Sequence, residues 1–135
     1  MKFHTKLFGT VNLNEQTPRR VVLDAFTNGN CHSFALALHK LTGWPMFGLY
    51  KDDKYPDIPH HIIVRTPRGA FLDVQGRGAI KRWQKYGQFE LRPVRKGHLR
   101  QMVQKWHDGG VGFVPSNVAG ALPFAQRLLN RLYGN

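Results

Sequence analysis

The segment from Cys31 to Gly43 constrains the fold of this chain most, because its apolar residues recur with helical spacing. Positions i, i+3, i+4 and i+7 of one helical face are filled by Phe34, Ala37, Leu38 and Leu41. A polar, glycine-containing turn precedes the segment, and Gly43 is typical of the residue that ends a helix. The sequence therefore predicts a helix that begins near Cys31 and presents one apolar face to the rest of the protein.

Two short apolar runs after this helix predict a β-hairpin. His61–Arg65 and Ala70–Val74 have the length of strands, and a turn sequence with proline and glycine lies between them. Alternate side chains of a strand share a face, so a hairpin that is symmetric about this turn pairs His61 directly with Asp73. His60 then points to the opposite face. A shift of one residue in the pairing would exchange the two histidines.

The remaining segments complete the prediction of an α+β fold. Thr17–Phe26 fits either a strand or a short helix, because a brief apolar run does not define its own period. We expect the Cys31 helix to pack on a small antiparallel sheet, within one domain that spans residues 1–135. Further elements are expected at Trp44–Tyr50 (strand), Ala79–Tyr86 (helix or turn), Phe89–Val94 (strand), Gly97–His107 (helix) and from Ser116 onward (helix).

The composition bears on where such a protein works. The single cysteine cannot form an internal disulfide, and no apolar stretch approaches the roughly eighteen residues of a membrane-spanning helix. The N-terminus has no apolar leader segment either. These features predict a cytoplasmic protein without a membrane segment. A protein delivered into another cell without a cleaved signal would share them.

The basic residues are concentrated in one segment. The chain has 20 Lys and Arg against 8 Asp and Glu, a net charge of +12, and residues 77–105 supply eight of the twelve charges. This concentration predicts an acidic protein or a nucleic acid as partner, although a solvated basic helix face gives the same pattern. The residues expected to bind the partner are Lys81, Arg82, Lys85, Arg92, Arg95, Lys96 and Arg100.

Aromatic residues are interleaved with these charges, at Trp83, Tyr86, Phe89 and Trp106. Proteins that bind single-stranded nucleic acid combine aromatic stacking on bases with neutralisation of phosphates. A noncatalytic basic protein that binds nucleic acid or an acidic protein is therefore one alternative function. Burial of the same aromatic rings in the core is the structural explanation of the pattern.

Cysteine, histidine and aspartate occur in an order that fits nucleophilic catalysis. Cys31 falls at a helix N-terminus, where unpaired N–H groups and a partial positive charge favour a thiolate. His61 opens the first hairpin strand and can take the proton of the thiol. Asp73, on the second strand, can orient the imidazole and favour its charged form. These residue types predict a Cys-His-Asp site for attack on a carbonyl carbon.

This arrangement resembles the core of the papain-like and transglutaminase-like superfamily of cysteine enzymes. The resemblance covers Asn28 to Gly76 and rests on a cysteine that starts a helix, a histidine on a strand and an aspartate on the next strand. It implies a papain-like core in which Cys31 is the nucleophile, His61 the base and Asp73 the orienting group. It also implies thiol-dependent acyl chemistry on a protein or peptide amide.

The acceptor of the acyl group decides the reaction, and the sequence leaves it open. Water gives a cysteine protease or a glutamine deamidase, an amine gives a transglutaminase, and another acceptor gives an acyltransferase. Of these reactions we favour peptide hydrolysis, and glutamine deamidation is the second choice. The oxyanion would use the Cys31 backbone N–H and a second donor, Asn28 or Asn30. Papain has a glutamine several residues before its cysteine, where this chain has Asp24 and Ala25. An inactive member retained as a binding scaffold would have nearly the same sequence.

Each candidate residue also has a structural explanation. Cys31 would then be a small buried hydrophobe, and Asp73 would form an ion pair with Arg65 or Arg77. His32 and His39 are expected to face solvent or to cap the helix rather than act. The chain has neither CxxC nor HExxH spacing, so we expect no metal and no cofactor. This spacing argues against a zinc site built from Cys31, His32, His60, His61 and Asp73.

Overall fold

Seven strands form two antiparallel sheets in the described part of the chain. The structure is a computed structural model that describes residues 2–27, 30–109 and 117–134. The strands are β1 (Lys2–His4), β2 (Thr10–Asn12), β3 (Met46–Tyr50), β4 (His61–Arg65), β5 (Phe71–Asp73), β6 (Gly76–Arg77) and β7 (Glu90–Val94). β1 pairs with β2, and the other five form a central sheet in the order β6-β5-β4-β3-β7.

Five α-helices in the described residues surround the central sheet. They are α1 (Arg19–Thr27), α2 (Cys31–Thr42), α3 (Ala79–Trp83), α4 (Lys96–Asp108) and α5 (Val118–Tyr133). A 3-10 turn at Gln84–Tyr86 continues α3. None of the described helices is long and apolar enough to cross a membrane.

The helix α2 packs on the sheet and is covered by α1 and α5 on its other sides. Its residues Cys31 to Leu38 are all buried. Ser33 Oγ accepts the backbone N–H of Asn117 over 3.0 Å, which ties the start of α2 to the start of α5. At the other end, Gly43 has a φ of 74°, a left-handed conformation that favours glycine, and ends the helix. The predicted helix and its stop signal are confirmed.

Alternation along β4 divides the core into two clusters. Ile62 and Val64 face the large apolar cluster that includes the buried side chains of α2. Ile63 faces the other way, into a small cluster with Leu49 and Ala79, against which Trp83, Phe89 and other aromatic side chains pack. His61 has the same parity as Ile63, so the first residue of β4 meets the second cluster.

The hairpin of β4 and β5 forms as predicted, but its register differs from the symmetric one. Val64 pairs with Leu72 and Arg65 with Phe71, so Asp73 lies opposite Ile63 rather than opposite His61. The centre of the turn is therefore at Arg68, one residue later than in the predicted pairing, and each pair is shifted by two residues. A shift of two residues leaves every side chain on its original face, so His61 and Asp73 still share one. The predicted pairing was wrong, and the predicted face is confirmed.

The N-terminal arm is fastened by Asp24 of α1. The Asp24 carboxylate is buried and accepts the backbone N–H groups of Lys6 and Leu7, each over 2.8 Å. Phe3 of β1 packs edge-on against Phe26 of α1, with ring centroids 5.0 Å apart. The segment Thr17–Phe26, which fitted either a strand or a helix, thus forms most of the helix α1, and this helix holds the N-terminal arm through Asp24 and Phe26.

The other predicted elements agree with the structure to within a few residues. The strands expected at 44–50 and 89–94 are β3 and β7, and the helix expected at 97–107 is α4. The last helix is also present, and its cap among the described residues is Asn117, whose Oδ1 accepts the Gly120 N–H over 3.1 Å. Ser116, the predicted cap, lies outside the described residues. The α+β fold class is confirmed.

Phe26 provides a test of how the arm, α2 and α5 are held together. It is 1% exposed, and its ring lies 5.1 Å from that of Phe34 and 5.7 Å from that of Phe124. We expect Phe26→Ala to lower the free energy of unfolding by about 3–5 kcal/mol, because it leaves a cavity between three elements. Denaturant unfolding measures this change. Leu7→Ala, at a side chain 77% exposed, is the control; an equal effect of both substitutions would contradict the packing described.

Candidate active site

Cys31 is the first residue of α2, and its thiol is buried. The residue is 4% exposed, and the buried Asn30 precedes it at the N-cap position. The first N–H groups of a helix have no intrahelical partner, so this position stabilises negative charge on the sulfur. Two imidazoles interact with the thiol, those of His32 and His61.

His61 and Asp73 form a buried hydrogen bond. His61 Nε2 donates to Asp73 Oδ2 over 3.0 Å, and the two side chains are 0% and 3% exposed. The other ring nitrogen, Nδ1, is buried and has no nitrogen or oxygen partner among the described residues. Since the Cys31 thiol interacts with this same ring, the imidazole links the thiol to the carboxylate. The structure thus brings together the three residues that the sequence predicted as a site.

Arg82, rather than Arg65 or Arg77, is the ion-pair partner of Asp73. Arg82 Nη2 donates to Asp73 Oδ1. Arg77 pairs with Leu72 across β5 and β6, so strand alternation directs its side chain away from the face that carries Asp73. Arg65 is exposed at the far end of β4. Neither ion pair of the alternative structural explanation is formed, because α3 packs on β5 and supplies an arginine from outside the hairpin.

The pKa values of Cys31 and His61 are shifted in opposite directions. Burial alone would raise the pKa of the Cys31 thiol, but hydrogen bonds with His32 and His61 and the charges of both rings lower it from 9.0 to about 6. Burial alone would lower the pKa of His61, but hydrogen bonds with Asp73 and Cys31 and their negative charges raise it from 6.5 to about 9. Between these pH values the sulfur is a thiolate and the imidazole carries the proton.

Asp73 stays ionised in this buried setting. Burial raises the pKa of its carboxyl, but the hydrogen bond with His61 and the positive charges of His61 and Arg82 lower that pKa below its usual range. The charges of Arg82, Asp73, His61 and Cys31 therefore alternate in sign and sum to zero. Alternation is needed because an isolated buried charge is neutralised by a shift of its pKa.

Trp83 covers one face of the His61 ring. The two ring centroids are 4.3 Å apart and the planes differ by 18°, so the rings are stacked. Phe89 lies edge-on to Trp83, with centroids 6.2 Å apart. Base stacking by Trp83 was one alternative from the sequence, and burial in the core was the other. In the structure the indole packs on His61 and, through the attraction between a cation and an aromatic face, favours a charged imidazole.

His32 is the residue of the site that the sequence analysis missed. We expected it to face solvent or to cap the helix, but it is 0% exposed, and its interaction with the Cys31 thiol lowers the pKa of the sulfur. Helical periodicity does not reveal this role, because α2 is enclosed on several sides. His39, at the opposite end of the helix, has its Nδ1 2.8 Å from the Trp44 carbonyl, so its place at the helix end fits the expected capping role.

The structure describes only one of the two candidates for the second oxyanion donor, Asn30. Asn28 lies outside the described residues. Asn30 is 1% exposed, and its backbone carbonyl accepts the N–H groups of Ser33 and Phe34 at the start of α2. Asp24, in the region where papain has a glutamine, holds the N-terminal arm instead. The Cys31 backbone N–H, in the first turn of the helix, remains the donor that the geometry places next to the sulfur.

The seven basic residues predicted to bind a partner do not form one set. Two of them are held by local carboxylates: Arg82 by Asp73, and Arg92 by Glu90 over 2.9 Å. The others are exposed, but α3 packs against β5 near one edge of the sheet, whereas β7 forms the opposite edge. Lys81 and Lys85 therefore belong to one edge, and the other edge carries Arg95, Lys96 and Arg100.

The aromatic residues interleaved with these charges are mostly used in packing. Trp106 is buried in the large core cluster, and Trp83 and Phe89 pack in the small one. Tyr86 is the exposed member of the four, at 54%. Base stacking on this segment thus has one accessible ring rather than four, and the nucleic-acid function stays a prediction that these contacts do not favour.

Within the described residues, no group of three or more His, Cys, Asp or Glu side chains has the arrangement of a metal site. His60 does not join the Cys31 site either. Its Nε2 lies 2.7 Å from Asp53 Oδ2 at the surface.

Comparisons with known proteins give no family for this chain. No protein-family model matches it, and neither a search of curated proteins nor a search of solved structures finds a match. The papain-like resemblance therefore depends on the residues and contacts described above.

Alkylation of Cys31 by iodoacetamide tests the ion pair through its pH dependence. The rate follows the thiolate, so in the native protein it should rise to a plateau with a midpoint near pH 6. In His61→Ala the hydrogen bond and charge that lower the pKa of the thiol are lost, and the midpoint should move up toward 9.0. His60→Ala is the matched control and should leave the midpoint unchanged. An unshifted native midpoint, or no reaction in the folded state, would contradict the pair.

Proposed function

We propose that this protein is a cysteine-dependent acyl-transfer enzyme of the papain-like or transglutaminase-like type. The observation that carries the proposal is the buried series Cys31, His61 and Asp73, in which the thiol pKa is lowered to about 6 and the imidazole pKa is raised to about 9. Such shifts are those a nucleophile and its general acid need at neutral pH. A cysteine that only fills space in the core does not require such pKa shifts.

The first half of the reaction forms a thioester. The Cys31 thiolate attacks the carbonyl carbon of an amide, a C–S bond forms, and the π electrons move to the carbonyl oxygen. The C–N bond then breaks, and the leaving nitrogen takes the proton from His61 Nδ1. Asp73 holds the ring by accepting from Nε2, so Nδ1 is the nitrogen left to exchange a proton with the sulfur and the substrate.

The second half regenerates the ion pair. Neutral His61 takes a proton from water through Nδ1, and the water oxygen attacks the thioester carbon. When the C–S bond breaks, the acyl group leaves as a carboxylic acid and the thiolate–imidazolium pair returns. An amide from the peptide backbone gives chain cleavage, and a glutamine side chain gives glutamate and ammonia. Peptide hydrolysis is the reaction that we favour, and deamidation is the second candidate.

Charge on the carbonyl oxygen would be stabilised at the start of α2. The Cys31 backbone N–H points out of the helix N-terminus, and the helix dipole adds to its effect. The side chain of Asn30 or of Asn28 is the proposed second donor. The fold supports this assignment, because a cysteine-bearing helix on an antiparallel sheet is what the papain-like resemblance implies.

An activated ester tests the proposal without knowledge of the natural substrate. With a p-nitrophenyl ester we expect a burst of p-nitrophenol equal to the enzyme concentration, followed by slower turnover, because an activated ester acylates the thiolate faster than water deacylates it. Cys31→Ala should abolish the burst, and His61→Ala should slow it by about 10²–10⁴-fold, the usual contribution of general acid–base catalysis. His60→Ala should behave as the native chain does.

Two results would overturn the proposed function. One is a rate of ester cleavage that Cys31→Ala leaves unchanged, and the other is a correctly folded native protein that releases no p-nitrophenol. If the burst is present, mass spectrometry of glutamine-containing peptides decides between chain cleavage and conversion of glutamine to glutamate.

A further inference from the structure

A cavity of about 310 Å³ borders the candidate site on the side of Trp83. Trp83 lines the cavity and is stacked on His61, so one aromatic ring separates the cavity from the imidazole. Arg82, the partner of Asp73, lines it as well. Thr27, the last residue of α1, also lines the cavity. The cavity is therefore lined by two residues that contact the site: Trp83, which is stacked on His61, and Arg82, which pairs with Asp73.

The charged groups around this cavity are all positive. Besides Arg82, its lining includes Lys6 and Lys85, and no carboxylate is among the described residues that line it. Arg82 is paired with Asp73, whereas neither lysine has a salt bridge within the described residues. The Lys85 ammonium lies 5.0 Å from the centre of the Tyr86 ring, which also lines the cavity. Two cations thus face a space that contains no counter-charge of its own.

We infer that this cavity is a substrate subsite for a carboxylate, and that the enzyme prefers an amide next to an acidic residue. This inference rests on the proposed function, because it concerns what approaches Cys31. A carboxylate in the cavity would be attracted by both Lys6 and Lys85, which line it. Trp83 and Tyr86 provide apolar walls for the methylene stem of a glutamate or aspartate side chain.

The general basicity of the chain is a different effect and has to be separated from this local one. A net charge of +12 attracts any anion over long distances, whichever lysine is removed. A subsite instead depends on Lys6 and Lys85 in particular. The backbone N–H of Lys6 that binds Asp24 is retained in a glutamine variant, so the N-terminal arm keeps its attachment.

Two alkylating reagents of similar size provide the test. Iodoacetate carries a carboxylate and iodoacetamide does not, so the ratio of their rates at Cys31 reports the attraction of an anion. The His61 imidazolium raises this ratio in every variant, and the comparison is therefore between variants. In Lys6→Gln/Lys85→Gln the ratio should fall by about three- to tenfold relative to the native chain, the effect of two nearby charges at an intermediate dielectric constant.

The matched control is Lys40→Gln/Lys54→Gln, which removes the same charge from exposed positions outside the cavity. This control should change the ratio by less than about twofold, because distant surface charges are screened by salt. Equal decreases in both double variants, or no decrease in either, would overturn the subsite. The iodoacetamide rate and its midpoint near pH 6 test the proposed function separately, since a neutral reagent does not need the cavity.

Discussion

The hydrogen bond between His61 and Asp73 is the interaction on which the rest of this site depends. It fixes which ring nitrogen faces the sulfur, and it supplies the negative charge that keeps a buried imidazole protonated. The charged imidazole in turn keeps Cys31 ionised although the thiol is buried. Arg82 completes the series by pairing with the second oxygen of Asp73. Loss of His61 would remove both the charge that keeps Cys31 ionised and one of the two charged partners of the buried Asp73 carboxylate, which is costly.

The fold positions this series by bringing together the start of the helix α2, the start of the strand β4 and the end of the strand β5. α2 begins at Cys31, β4 begins at His61 and β5 ends at Asp73. Because strand side chains alternate, the two-residue difference between the symmetric and the observed register has no effect on which residues meet. A difference of one residue would have directed His60 to Asp73 instead. The surface pair of His60 with Asp53 shows how different the surroundings of the two neighbouring histidines are.

Much of the fold and the central residues of the site could be predicted from the sequence, because both depend on local patterns. The helical spacing after Cys31, the turn before Ala70 and the order of cysteine, histidine and aspartate are such patterns. The roles of His32, Arg82 and Trp83 could not be predicted in this way. His32 is buried because α5, far along the chain, closes over α2, and Arg82 and Trp83 reach the site because α3 packs against β5. The basic and aromatic segment at residues 77–105 therefore includes two residues of the site, Arg82 and Trp83.

The ion pair of Cys31 and His61 is defined by which atom carries the proton, not by how many protons the two side chains bind together. The pKa values of about 6 and about 9 nearly coincide with the ordinary values of 6.5 for histidine and 9.0 for cysteine. A titration of total charge would hardly distinguish the ion pair from a neutral thiol beside a neutral imidazole, because the two steps belong to the pair as a whole. A probe that observes one residue is needed.

The most direct measurement is an NMR titration of the ¹⁵N-labelled His61 ring, in the native chain and in Cys31→Ala. We expect an imidazolium at neutral pH that loses its proton near pH 9, and a lower pKa for His61 once the thiolate is absent. Resonances of a neutral His61 ring at neutral pH, or a His61 pKa that is the same with and without the thiol, would contradict the thiolate–imidazolium pair.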